Sequence, residues 1–300
     1  MKECLTEEDA ACIADNLIEA NCRGMDSHGV LRVGNYLNRI RSGGTNAHAE
    51  VKVLRETPVT AVLDGDNGVG SVVGTKAMNI CREKAEKNGM AAVVIRNSNH
   101  YGTSAYYCEH MAKNDMIAFS CSNVEPCMTP PGALTVTIGN NPFCMVAPCG
   151  KYGEIASDMA TSQVAWGKVL NYRLLDKKLP GPWGIDAEGN PTDDPHAAVC
   201  LAPMGLHKGY GVAVLLEILC SLLSGGAFGS DIGHMYKDLT SPNKLSHFFM
   251  CMKVEAFRDL DEFNADMEKF YEFLHDIKTA DGGSIIVPGE LEFNSKNRIA

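Results

Sequence analysis

No basic cluster and no long run of like charge occurs along these 300 residues; 27 lysines and arginines stand against 37 aspartates and glutamates, a net charge of −10. An acidic chain without a basic stripe has little to hold phosphate backbones or anionic lipid, so neither nucleic acid nor a membrane surface is an expected partner. An anionic small substrate would need a locally positive pocket. Long apolar runs are missing too. Val212 to Leu223, the longest, contains Glu217 and falls short of the roughly 20 residues that span a bilayer, so it reads as a buried core helix. Cysteine number twelve, from Cys4 to Cys251, yet no Cys-x-x-Cys pair occurs, and Cys144 and Cys220 sit in apolar runs where a thiol acts as a small hydrophobe. The start, Met1-Lys2-Glu3-Cys4-Leu5-Thr6, is polar rather than leader-like, and the expectation is a reducing cytoplasm. Nine histidines include no His-x-x-x-His pair, so no metal site is expected. A Gly-x-Ser-x-Gly elbow and a Walker loop are absent, which excludes those hydrolase and nucleotide-binding devices.

What is present is a globular balance: 45% hydrophobic and 21% charged residues. Thr6 with Asp9 three residues on marks a helix start, and Ala10, Ile13, Ala14, Leu17 and Ile18 continue at helical spacing. A second helix is predicted from about Val30 to Arg41, ended by Gly43-Gly44. Thr60 to Leu63 reads as a strand, followed by a helix to about Asn88. Ala91 to Ile95 and Met116 to Ser120 are unbroken β-branched or apolar runs, as in strands buried on both faces, with a helix from Ala105 to Asn114 between them. Further predictions are strand-like Leu134 to Ile138, a long loop or flap over Tyr172 to Pro203, a strand at Phe248 to Met252 and a helix from about Leu260 to Thr279. Alternating strands and helices indicate an α/β fold with a central sheet covered by helices. The division expected is a helical N-terminal region, 1–56, with parts of the C-terminal half, and an α/β core, 57–300.

Four constellations carry chemistry. Ser27-His28-Gly29 leads to Arg32 and Tyr36; in a helix, His28, Arg32 and Tyr36 share one face. An imidazole, a guanidinium and a phenol are what a 2-hydroxy acid needs for its hydroxyl, carboxylate and remaining polar end. The same spacing also describes a solvated polar face. Ser98-Asn99-His100-Tyr101-Gly102 follows a buried strand, where ligand sites gather in α/β sheets, although a turn histidine can be purely structural. Asp158-Met159-Ala160-Thr161-Ser162 looks like a capped helix start suited to a pyrophosphate or ribose hydroxyl, or like an ordinary cap. His207-Lys208-Gly209-Tyr210-Gly211 stands ahead of the Val212 helix and offers either a phosphate-binding entrance or a glycine-rich turn. Gly68-Val69-Gly70-Ser71-Val72-Val73-Gly74 imitates a dinucleotide fingerprint, but its third glycine is one place late, no long apolar first strand precedes it, and no acidic residue ends a second strand about 20 residues on, so it reads as a strand–helix packing turn in a non-Rossmann fold.

In this order the four segments resemble the type-2 malate/L-lactate dehydrogenase family, which also contains ureidoglycolate, sulfolactate and diketogulonate dehydrogenases. Met25 to Arg32, Ser98 to Gly102, Gly139-Asn140-Asn141-Pro142, Asp158 to Ser162, Pro191 to Pro195, His207 to Gly211 and Pro288-Gly289-Glu290 carry the resemblance over nearly the whole chain. Arg39 to Asn46, Trp166 to Leu170 and Met235 to Leu239 are similar to the ureidoglycolate branch. The resemblance implies a cofactor fold distinct from Rossmann, a homodimer, and NAD(H) or NADP(H). It implies acid–base roles for His28 and His100 and substrate contacts for Ser27, Arg32 and Tyr36. It implies cofactor contacts for Val124, Asp158, Met159, Ala160, Lys208, Gly209, Pro288, Gly289 and Glu290. Leu206 stands where the family commonly has glycine, and Val124 where the ureidoglycolate branch has serine; the chain also begins late against the family and ends ten residues after Glu290. The implied activity is oxidation of ureidoglycolate to oxalurate, with malate, lactate or a related substrate as the alternative, and a degenerate metabolite-binding relative as the non-enzymatic one.

Overall fold

Thr6 caps the first helix with its hydroxyl, which accepts the Asp9 N–H at 3.1 Å, and α1 runs Glu7–Cys22. The computed structural model describes residues 5–280 and 282–299; the polar start at Met1 to Cys4 lies outside them. The helix predicted from Val30 is instead two short 3₁₀ turns, Asp26–His28 and Val30–Arg32, before α2, Val33–Arg41. Asn21 causes the break. Its Oδ1 accepts the Val30 N–H at 2.9 Å and sits 2.2 Å from where a Cβ on Gly29 would be, so the chain bends around it.

β1, Lys52–Glu56, pairs antiparallel with β2, Thr60–Asp64, so the sheet already begins within 1–56. α3, Gly70–Asn88, ends at Gly89 in the left-handed region (φ 87°), as a helix stopped by glycine should. β3, Met90–Ser98, then α4, Ser104–Ala112, and β4, Met116–Ser122, follow the predicted alternation. Leu134 to Ile138 is not a strand; only Ile138 bridges, to Met128, in a stretch broken by Pro130 and Pro131. The strands that do form there are β5, Phe143–Pro148, and β6, Glu154–Met159.

The expected flap at Tyr172 to Pro203 is more ordered than a loop. It carries the end of α5, Trp166–Leu174, and three short strands, β7 (Gly184–Ile185), β8 (Pro191–Thr192) and β9 (Cys200–Leu201), which form their own sheet. Met128, Val169, Leu179, Leu201 and Ala213 give this lobe its own apolar core. α6 spans His207–Glu217 and runs on through a π-helical turn, Ile218–Leu222. β10, Leu245–Lys253, precedes α7, Leu260–His275, which stops short of Thr279, and a final helix that the sequence pattern did not announce, α8, Glu290–Ile299.

The main sheet is mixed, in the order β1-β2-β3-β10-β4-β5-β6, with β2 and β3 parallel and the other pairs antiparallel. Alternate residues of each strand go to opposite faces. Val93, Ile95, Phe249 and Cys251 pack with α3 and α4, whereas Val94, Phe248 and Cys121 pack with Leu216 and Cys220 of the α6 segment. Helices thus cover both sides of the central strands, as the unbroken apolar runs demand. Among the described residues no helix is long and apolar enough to cross a membrane, and every cysteine is a free thiol.

Candidate active site

The segment after β3 is clamped from several directions. A Cβ on Gly70 would lie 2.1 Å from the Asn99 carbonyl oxygen and 2.3 Å from that of His100, so the strand–helix turn that imitates a dinucleotide fingerprint is a close-packing turn against the His100 segment. Asn99 Nδ2 donates to the carbonyls of Asn67 (3.0 Å) and Gly68 (2.8 Å). Behind it lies His247, wholly buried, its Nε2 2.7 Å from Ser98 Oγ and its Nδ1 2.8 Å from Ser122 Oγ, with its ring stacked on Tyr101 at 4.1 Å. Burial lowers the His247 pKa to about 3, so it stays neutral and acts as a rigid strut.

His28 and His100, 72 positions apart, stack with ring centroids 5.4 Å apart. The Tyr36 hydroxyl lies 2.6 Å from His100 Nδ1, and Ser27 Oγ 2.9 Å from His28 Nδ1. Arg32 joins them by donating Nε to the Ser27 carbonyl at 2.6 Å. All five residues of the expected acid–base and substrate set therefore meet, although through 3₁₀ turns rather than one continuous helix face. Burial, reinforced by the Arg32 charge, lowers His28 to about 4; burial, then the charges of His28 and Arg32, holds His100 well below the usual imidazole range. Tyr36, almost fully buried, is pushed above the usual phenol range and stays a neutral hydroxyl. His100 Nε2 makes no hydrogen bond to a described residue, and neither do the terminal nitrogens of Arg32. A neutral imidazole with one open nitrogen, a phenol on its other nitrogen and an unpaired guanidinium can take a proton from a hydroxyl while gripping a carboxylate.

The expected cofactor residues lie along a second line. Asp158 to Ser162 is not a helix start: Asp158 and Met159 end β6, where Asp158 is paired with Cys144. Asp158 does face a helix N-terminus, but that of α4, accepting the Ala105 N–H at 3.3 Å; burial raises its pKa to about 6. His207 to Gly211 likewise forms the first turns of α6 rather than preceding them. Backbone bonds knit the segments together. Thr161 N–H donates to Asn140 O (2.9 Å), Met204 N–H to Thr161 O (2.8 Å) and Gly209 N–H to Met204 O (2.8 Å). Val124 N–H donates to Asn141 Oδ1 at 3.1 Å, and Ala156 N–H to Pro288 O at 3.0 Å. Gly209 and Gly289 are both obligatory, since a Cβ on the first would meet Met204 O at 2.3 Å and on the second Ala156 at 2.8 Å. Glu290 accepts the Val287 N–H and pairs with His275 at 3.1 Å. The Lys208 side chain is exposed and has no partner among the described residues, and at the strand end Met159 is exposed and Ala160 half-buried. No side-chain hydrogen bond or ion pair among the described residues joins Lys208 to Asp158 or either to the histidine pair.

Two features escaped the motif reading. Arg39 is 2% exposed and donates to the carbonyls of Asp238 (2.7 Å), Ser241 (2.7 Å), Gly44 (3.0 Å) and His234 (3.2 Å). Tyr236, in the loop so anchored, stacks under the Arg32 guanidinium at 5.5 Å. About 200 positions separate Arg39 from the carbonyls it holds, and Tyr236 from Arg32, and no local spacing could link them.

A mixed helix-covered sheet carries a half-buried, neutral histidine pair beside an arginine whose terminal nitrogens are unpaired among the described residues, groups with the chemistry to handle a small carboxylate. Over residues 1–299 the sequence matches the malate/L-lactate dehydrogenase family, and the chain belongs to that family of oxidoreductases. A malate dehydrogenase of Pyrococcus abyssi is 40% identical over 298 residues, covering 96% of this chain and 81% of its own length. The ureidoglycolate dehydrogenase (NAD(+)) of Escherichia coli O157:H7 is 34% identical over 288 residues, covering 95% and 82%. The solved sulfolactate dehydrogenase of Methanocaldococcus jannaschii superposes with a TM-score of 0.92 at 34% identity, covering 98% of this chain and 85% of that one. Identity thus does not single out the ureidoglycolate branch.

Proposed function

We propose that the chain oxidises a small 2-hydroxy acid with NAD, or NADP, as acceptor, and that ureidoglycolate, yielding oxalurate, is its substrate. The observation that carries this reading is the stacked His28–His100 pair, neutral at pH 7, with the unpaired Arg32 beside it. Arg32 holds the carboxylate through its two terminal nitrogens. His100 Nε2 takes the hydroxyl proton as C2 loses hydride, and the resulting charge is shared with the Tyr36 oxygen through Nδ1–H. In the reverse direction the His100 imidazolium, carrying a proton on each nitrogen, returns the Nε2 proton to the carbonyl oxygen as hydride reaches C2; the Gly102 N–H, a weaker 3.3 Å contact to Nδ1, gives way to the Tyr36 oxygen while Nδ1 is protonated. His28 covers the His100 ring and excludes water. Val124, Asp158 to Ala160, Lys208, Gly209 and Pro288 to Glu290 would hold the nicotinamide cofactor. What supports the fit is Lys208, an exposed cation with no side-chain partner among the described residues, available for a phosphate; Gly209 and Gly289 hold the backbone around it by packing against Met204 and Ala156. When bound, that group supplies the hydride acceptor.

The segments Arg39 to Asn46 and Met235 to Leu239, similar to the ureidoglycolate branch, support the substrate; in the fold Arg39 ties one to the other. Malate is the second reading, favoured by the 40% identity with the Pyrococcus enzyme. Absorbance of the reduced cofactor over a panel of 2-hydroxy acids, with NAD and with NADP, tests both. General acid–base catalysis is worth on the order of 10²- to 10⁴-fold, so His100→Ala should lose at least about a hundredfold in kcat. A His100→Ala protein with unimpaired turnover removes His100 from the mechanism.

A further inference from the structure

We infer that Tyr236 is a specificity-determining residue of this site, selecting 2-hydroxy acids whose C2 substituent ends in an oxygen acceptor over those ending in a methyl group. The inference rests on the hydroxy-acid reading above. Tyr236 is 53% exposed, and its hydroxyl makes no hydrogen bond to a described residue. Its ring lies 5.5 Å from the Arg32 guanidinium carbon, stacked so that the cation rests over the ring face. Arg32 commits only Nε, to the Ser27 carbonyl. An unpaired fork for a carboxylate and an unpaired phenol thus stand side by side.

The loop that carries Tyr236 is held rather than loose. Gly233 and Asn243 close its base, N–H to carbonyl at 2.9 Å and Asn243 Nδ2 to Gly233 O at 3.0 Å. Arg39, from inside, grips the carbonyls of His234 and Asp238, on either side of the tyrosine. Glu125 accepts the Met235 N–H at 2.8 Å. Met235 in turn lines a small cavity with Tyr36, Arg39 and His100, so the loop is built onto the back of the catalytic pair. A side chain presented on a preorganised loop loses little entropy when a ligand meets it.

With the carboxylate on Arg32, the hydroxyl at His100 Nε2 and the C2 hydrogen turned to the hydride acceptor, the third heavy substituent of C2 takes the one direction left. The phenol beside Arg32 is an unpartnered donor for its far end. A carbonyl, carboxylate or sulfonate oxygen accepts that hydrogen bond. A methyl group leaves the phenol to water and gains nothing. A pocket that binds by a specific hydrogen bond discriminates against substrates that cannot make it.

The test measures kcat and KM for malate, ureidoglycolate and L-lactate in the wild-type, Tyr236→Phe and Tyr236→Leu proteins, with NADH affinity followed by fluorescence. The expected result is a wild-type preference for the oxygen-bearing acids over lactate. Tyr236→Phe should cut that preference by about tenfold, through the oxygen-bearing substrates alone. Tyr236→Leu should also raise KM for all three by removing the ring beneath Arg32, while NADH affinity stays unchanged in both variants. A wild-type preference for lactate, or a Tyr236→Phe protein with the wild-type ratio, overturns the inference and leaves the dehydrogenase reading standing. A wild-type protein that binds NADH but turns over none of the three overturns both.

Discussion

At the scale of single residues, the His28–His100 pair is tuned by crowding rather than by a partner carboxylate. Arg32, the group that would anchor substrate, also pushes both imidazoles toward their neutral forms. For a base this arrangement has a definite pH signature. An ordinary histidine loses half its basic form at about pH 6.5, whereas His28 stays neutral down to about 4 and His100 well below the usual range. The acid limb of kcat/KM for hydroxy-acid oxidation should therefore be absent between pH 8 and 5. A profile recorded over that span at saturating cofactor decides it, and an inflection near 6.5 would mean that the catalytic imidazole is not the crowded one seen here. Tyr36 contributes no inflection in the same window, because burial keeps its phenol protonated.

At the scale of elements, the entry to α6 shows what the sequence could and could not convey. Leu206 adopts φ 55° and ψ −114°, a region that glycine enters freely and leucine does not. Strain of this kind costs of order 1–3 kcal/mol, and glycine gives part of it back as chain entropy. Leu206→Gly should raise stability by about 1 kcal/mol, roughly 2 °C in Tm, since Leu206 is 42% exposed and little burial is lost. A thermal melt showing no gain would mean that the backbone relaxes around the leucine. That departure from the family pattern was visible in the sequence, as were the Thr6 cap, α3 with its glycine stop, and β3 and β4. Each of these is written in neighbouring residues. The misreadings have the opposite origin. Asp158 looks like a cap and is one, but for α4, some fifty positions upstream. Leu134 to Ile138 has strand composition but no neighbouring strand to pair with beyond one bridge. β10 enters between β3 and β4 by a crossover that no local pattern encodes. The meeting of His28, His100, Arg32 and Tyr36 was legible because Ser27 to Tyr36 and Ser98 to Gly102 are each compact; the Arg39 anchor and Tyr236 were not, because their partners lie about 200 positions away.

At the scale of the whole molecule, two sets of groups desolvated by the fold pull stability in opposite directions as pH changes. His28, His100 and His247 are folded with depressed pKa values, so their contribution is complete above the unfolded value near 6.5 and is lost as pH falls below it, each by about 1.4 kcal/mol per pH unit until its folded pKa is reached. Asp158 has the reverse sign. Its folded pKa of about 6 lies above the 3.8 of an unperturbed carboxyl, so its contribution is complete below 3.8 and is lost as pH rises through about 6. At pH 7 the ionised Asp158 therefore opposes folding by roughly 3 kcal/mol. A fold that keeps such a carboxylate charged and half-buried at the end of β6, beside Met159 and Ala160, holds it there against its own stability, as functional sites commonly do. Denaturant titrations across pH 4 to 8 should show wild-type stability falling below about pH 6.5 as the histidines take up protons on unfolding. Asp158→Asn retains the acceptor for the Ala105 N–H and removes the charge, so it should be more stable than wild type by roughly 2–3 kcal/mol at pH 7. That advantage should shrink to well below about 1 kcal/mol by pH 4, as the pH nears the 3.8 at which the unfolded carboxyl is also half protonated. A difference that did not vary with pH would show that Asp158 is solvated in the native protein, and would remove the electrostatic reason for placing a functional group at that strand end.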